Sequence, residues 1–242
     1  MEEKVEIMSS YWKDSIEFVN DLKLDCVEDP SDCPGFYLLF EREYILLGLA
    51  SIIGHKDVKE GKIFFYRAML YRKWIYEHYE RYEDYYDYYE MNSDIYRNLY
   101  YVVIAGNWDM AKIIAEFFKE NHKLDEDCDL YSIELGTIME NIILDNKDEA
   151  NRAIDKLEAL SSSKGYKKMA EGQAIAMRGL VNNDEVMFNN GLQQMLKNHV
   201  AKIKREGHGI WEYFAYDSLA LALIAKRKGM NITAEHELLP AE

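Results

Sequence analysis

Residues 145–160 read DNKDEANRAIDKLEAL. A short polar turn is followed at once by Ala150, Ala153, Ile154, Leu157 and Leu160. Offsets of three and four place these five on one face of a helix. Just upstream, Tyr131, Leu135, Ile138 and Ile142 repeat the same spacing. The unit is therefore helix, tight turn, helix, with two apolar stripes that can only be buried against each other. The acid Asp148 stands where it can cap the second helix.

The same punctuation recurs along the chain. GHKD (54–57), GNWD (106–109) and NNDE (182–185) also sit between two helical patterns. Asp57, Asp109 and Asp184 are the corresponding capping candidates. Two helices and their turns need roughly 35 to 45 residues, the period of helical-hairpin repeats. The tetratricopeptide consensus is not found in these units, so the repetition lies in the architecture. The expectation is an all-α fold of about ten helices, built as stacked antiparallel helical hairpins and forming a single domain over 1–242.

Further helices flank this repeat. Met8, Tyr11, Trp12, Ile16, Val19 and Leu22 predict an amphipathic helix over 4–23. DCVEDPSDCPG (25–35) predicts a loop. A largely apolar helix then runs from Phe36 to Ile53, with Gly54 as the residue that closes it. Tyr166, Ala170, Met177 and Val181 lead into the last turn, and Phe188, Leu192, Met195, Leu196, His199 and Ile203 follow it. IWEYFAYDSLALALIAKRK (210–228) is apolar almost all round and reads as the central strut of the C-terminal half, closed by Gly229.

Composition narrows the functional classes. The chain has 242 residues, a net charge of −15 and only 3 Pro and 13 Gly. Such a charge disfavours nucleic acid, which calls for clustered cations. The acidic start Met1-Glu2-Glu3-Lys4 is unlike a signal peptide, and nothing approaches 18 consecutive apolar residues, so no membrane contact is expected. Cys26, Cys33 and Cys128 read as reduced thiols of a cytoplasmic protein, with a Cys26–Cys33 disulfide the alternative.

Chemistry is sparse. His55, His78, His122, His199, His208 and His236 form no HExxH pair, and AEHELL (234–239) lacks its second histidine. GxSxG, Walker and GxGxxG signatures are missing as well. The reading is a protein without catalytic residues, metal or cofactor. Asp217 and Ser218 stand out because a carboxylate inside an apolar helix is costly unless paired. They are expected to form a structural polar core, with Arg97, Arg152 or Arg178 as the partner. Glu41, Arg42 and Glu43 suggest an internal ion pair in the same way.

The most unusual segment is YEHYERYEDYYDYYE (76–90), where six acids and one base give a local charge of −5. In a helix, a step of three residues turns about 300°. Tyrosines so spaced drift around the axis, and one packing surface cannot bury them all. One reading is a solvated helix whose rings pack on the neighbouring hairpin. The other is a docking surface for a basic polypeptide, formed by Tyr76, Tyr79, Tyr82, Glu83, Asp84, Tyr85, Tyr86, Asp87, Tyr88 and Tyr89. Exposed tyrosines bind with little loss of entropy, and carboxylates speed encounter with a cationic partner.

The C-terminal third carries a resemblance. GLVNNDEVMFNNGLQQMLKNHVAKIK (179–204) precedes YDSLALALIAKRKGMNITAEHELLP (216–240). The order of Asp184, Glu185, Phe188, Leu192, Leu196, His199, Leu219, Ala220, Leu221, Arg227, Gly229 and Pro240 resembles the bacterial immunity protein 49 family. The immunity partners of PoNe-type DNase toxins share the all-helical build and an aromatic-rich C-terminal helix. The resemblance implies a non-enzymatic cytoplasmic protein that binds a cognate toxin and blocks it. The alternative is a helical-repeat scaffold or regulator that binds another protein or peptide. The sequence leaves the toxin's identity and the oligomeric state open.

Overall fold

Each of the four polar turns joins two helices that fold back on one another. The computed structural model describes residues 9–10, 12–20, 34–78, 95–121, 130–161, 167–206, 215–234, 236 and 239. Among these, nine α-helices and one short π-helix form, after helical residues at 9–10 and 12–20, and no strand is present. The first hairpin is α1 (Pro34–Ala50) and α2 (Val58–Glu77). The second is α3 (Ile95–Ala105) and α4 (Trp108–Asn121). The third is α5 (Leu130–Ile143) and α6 (Lys147–Ser161), and the fourth α7 (Lys167–Asn182) and α8 (Glu185–Glu206). A final helix, α9 (Tyr216–Arg227), follows. The all-α expectation and its hairpin pattern hold.

The turns show why the helices start where they do. Asp57 accepts from Glu60 N at 2.8 Å and Asp184 from Met187 N at 2.9 Å, so both are caps as expected. At the GNWD turn the cap is Asn107, whose Oδ1 accepts from Met110 N at 2.9 Å, and Asp109 lies inside the first turn of α4. Asp148 likewise falls inside the first turn of α6. Both acids still favour the positive end of the helix dipole without closing it. α1 begins at Pro34, two residues before the expected start, because proline's fixed φ and missing N–H suit the first helical position.

Gly54 does not close the second predicted helix. α1 runs on into a π-helical turn, Ser51–His55, in which Gly54 is buried. The left-handed residue is Lys56, at φ 59°, and its N–H returns to Ser51 O. One extra residue per turn carries the chain outward in time for Asp57 to cap α2.

A single apolar core runs through the described helices, and the predicted stripes of α5 to α8 all contribute to it. Each hairpin packs internally, and α6 also packs on α7. α9 departs from expectation. It packs mainly on α3 and less on α7 and α8, so it ties the N-terminal hairpins to the C-terminal ones instead of bracing the C-terminal half alone. Gly229, at φ +81°, closes it, with Met230 N bonded to Ala225 O at 3.0 Å.

The tightest crossing is α7 on α8. A Cβ added at Gly179 would lie 2.3 Å from Phe188 N, and one at Gly191 would lie 2.2 Å from Ala176 N. Backbone meets backbone at both points, so only glycine fits.

Candidate partner interface

α2 carries the chain to the edge of the tyrosine-rich segment. Its inward stripe is Phe65, Ala68, Met69, Arg72, Ile75 and Tyr76. Tyr76, expected on the docking surface, is instead buried and only 6% exposed. Its ring stacks on Phe117 at 3.8 Å and its hydroxyl accepts from Asn98 Nδ2 at 3.2 Å. The reason is register: Tyr76 stands four residues after Arg72 and seven after Met69, on the face that α2 already turns inward. Tyr79, Tyr82, Glu83, Asp84, Tyr85, Tyr86, Asp87, Tyr88 and Tyr89 lie outside the described residues.

A buried ion pair fixes this end of α2. Arg72 meets Glu41 of α1 through two bonds, Nε to Oε1 at 2.7 Å and Nη2 to Oε2 at 2.6 Å. The bidentate fork satisfies both carboxylate oxygens, the condition under which two buried charges are tolerated. This is the internal ion pair anticipated for Glu41, with its partner on the next helix. Arg42 is exposed.

Beside the ion pair, half-buried rings form a platform. Tyr37 stacks on Trp74 at 4.0 Å, and Trp74 stacks on His78 at 4.1 Å. His78 Nδ1 lies 2.9 Å from Trp74 O, which it reaches as a donor. Tyr71 stacks with Phe40 at 5.2 Å and with Tyr44 at 5.7 Å. Burial, together with the neighbouring Tyr44 and Tyr37 hydroxyls, raises the Tyr71 pKa, so its O–H stays a donor. The partly exposed rings Tyr37, Tyr71, Trp74 and His78 thus stand where the chain leaves α2 for residues 79–90. The YRKW pattern of α2 carried a signal for them, since Tyr71 and Trp74 are three residues apart.

Asp217 is half-buried and Ser218 buried, and the carboxylate's described partner is an amide and not an arginine. Gln173 Nε2 donates to Asp217 Oδ2 at 3.1 Å, and Ser218 Oγ lies 3.3 Å from Asp217 Oδ1. Gln173 in turn accepts from the Tyr131 hydroxyl. Three helices, α5, α7 and α9, are joined by this chain of neutral donors around one carboxylate. Two of the arginines considered for the role are engaged elsewhere. Arg178 binds Asp155 at 2.7 Å and Glu158 at 3.0 Å, and Arg152 binds Glu149 at 2.6 Å. Tyr100 nearby is fully buried and Tyr216 half-buried; desolvation raises both hydroxyl pKa values well above the ordinary range, with Asp217 adding to the effect.

Among the described residues, no group of three or more His, Cys, Asp or Glu side chains is placed to hold a metal ion. No described helix is long and apolar enough to cross a membrane. His199 is half-buried on α8.

Comparison with known proteins places the likeness in the C-terminal part. No curated protein and no solved structure matches the chain. The family described as Immunity protein 49 matches residues 137–242. The match begins well upstream of Gly179 and takes in the second half of α5, all of α6 and the α7–α8 crossing. From the hairpin turn at residue 145 through α9, the chain is similar to immunity protein 49.

Proposed function

We propose that this protein is an immunity protein that neutralises a cognate toxin by direct contact. The observation that carries the reading is the match of residues 137–242 to an immunity protein family. The charge of −15 fits a basic partner, such as a toxin domain that acts on nucleic acid. The reading assigns no reaction to the protein and places it in the cytoplasm of the cell it protects.

The toxin-facing surface in this proposal is the acidic, tyrosine-rich segment from Tyr79 to Tyr89, flanked by the Tyr37–Trp74–His78 platform. The carboxylates steer a cationic toxin in, and the rings supply contact area once it arrives. Tyr76 takes no part because its ring is spent on Phe117. The test is co-expression with the toxin encoded beside it. A stable complex and protection of the cell support the reading. Growth arrest despite soluble protein, with no complex on co-purification, removes it.

A further inference from the structure

The outward face of α2 has the opposite character to the chain as a whole. Lys59, Lys62, Arg67 and Lys73 lie along it, interleaved with Ile63, Tyr66 and Leu70. Ile63 is 47% and Leu70 43% exposed. The two acids of this helix are both engaged within the chain. Glu60 accepts from Ser51 Oγ at 2.8 Å, and Glu77 is held by Lys73. Among the described residues, Lys59 and Lys62 meet no carboxylate within ion-pair distance.

The face borders an open groove of about 960 Å³. Lys59, Lys62, Ile63 and Tyr66 form one wall, and the α3–α4 turn with Trp108 and Asp109 forms the other. Arg227 of α9 lies over the Trp108 ring, 4.6 Å from its centre, and helps to hold that ring in place. The groove therefore offers aromatic and aliphatic walls, two lysines and one acid. It also lies outside the region that resembles immunity protein 49.

We infer that this groove is a second docking site, and that it takes an acidic polypeptide segment carrying a large apolar side chain. Charge complementarity carries the choice. Two lysines that meet no carboxylate among the described residues, beside an exposed isoleucine and a tyrosine and within a chain of net charge −15, are a local inversion of sign. They complement carboxylates next to an apolar anchor, and they repel the basic surface assigned to the tyrosine segment. The inference goes beyond toxin neutralisation, because it gives the protein a contact of opposite polarity on a separate face.

The test uses the full chain and a fluorescein-labelled peptide of Glu and Phe, read by fluorescence anisotropy. A Gln/Phe peptide and a Glu/Ser peptide are the controls. The Glu/Phe peptide is expected to bind, and both controls to bind at least about tenfold more weakly. K59E/K62E is expected to weaken binding by roughly tenfold or more, and Ile63→Ser by several-fold. These positions are on the surface, so the melting temperature should stay within a few degrees of the parent. No binding of the Glu/Phe peptide up to about 1 mM overturns the inference. Equal binding by parent and K59E/K62E overturns it too. So does a dimer in sedimentation that Ile63→Asp dissolves, since a second copy would then be the occupant.

Discussion

Glu140 offers a sharp test of how this helical stack is built. It lies on α5 between neighbouring helices, is 2% exposed, and its Oε2 has no hydrogen-bond partner among the described residues. Burial raises its pKa from an ordinary 4.5 to about 7; Lys119 pulls the value down and Glu149 pushes it up. The native state therefore keeps this proton up to about pH 7, while the unfolded chain releases it near 4.5. Between those values folding takes up a proton, so stability falls as pH rises. A gap of about 2.5 pH units corresponds to about 3 kcal/mol lost by pH 8. Glu140→Gln holds the side chain neutral at every pH. Urea unfolding followed by circular dichroism, at half-unit steps from pH 4.5 to 8, measures the difference between variant and parent, in which other titrating groups cancel. The variant should gain relative to the parent as pH rises, by about 3 kcal/mol over the range and most steeply between 5 and 7. A difference that is flat with pH would show that the Glu140 carboxylate is already ionised and solvated in the folded protein, and would refute the reasoning.

Other outcomes follow from geometry. Arg72→Ala removes the bidentate cation from the buried Glu41 carboxylate and should cost about 3–5 kcal/mol in urea unfolding, whereas Arg72→Met combined with Glu41→Leu should recover most of the loss. Gly191→Ala forces a methyl group to within 2.2 Å of Ala176 N and should lower stability by about 3 kcal/mol, read as a drop in melting temperature. Alanine at Tyr82, Tyr85 and Tyr86 should weaken toxin binding by about 3 kcal/mol or more in calorimetry and leave the melting temperature nearly unchanged. Raising salt should slow association in stopped flow if the carboxylates steer the encounter.

The hairpins were legible because their signal is local. An acid or amide in a two-residue turn, flanked by stripes spaced three and four apart, specifies helix, turn and helix without knowledge of the rest. The rest depends on what packs against what. Asp109 and Asn107 are both capable caps, and only the exit direction of α3 chooses Asn107. A π-turn has the same apolar content as an α-turn, so nothing in Ser51–Ile53 separates it from ordinary helix, and Gly54 and His55 look like the start of the turn. The uniform apolarity of α9 announced burial on several sides but not that α3 would be its main neighbour. Tyr76 could have been placed by continuing the α2 stripe forward from Phe65 and Met69. Counting forward from residue 76 alone gave a spiral of rings without saying which one points inward. Glu140 gave no warning, because its burial comes from the helices packed around α5, not from its own stripe.

The glycine crossing of α7 and α8 matters to anyone who would instrument this molecule. With two main chains in touch, neither helix can roll or slide without collision, so the pair serves as a fixed reference frame. Val186, 72% exposed near the start of α8, is an attachment point for a spin label or dye on that frame. Distances measured from it to labels on the N-terminal hairpins would report their displacement when a partner binds, with little contribution from the anchor.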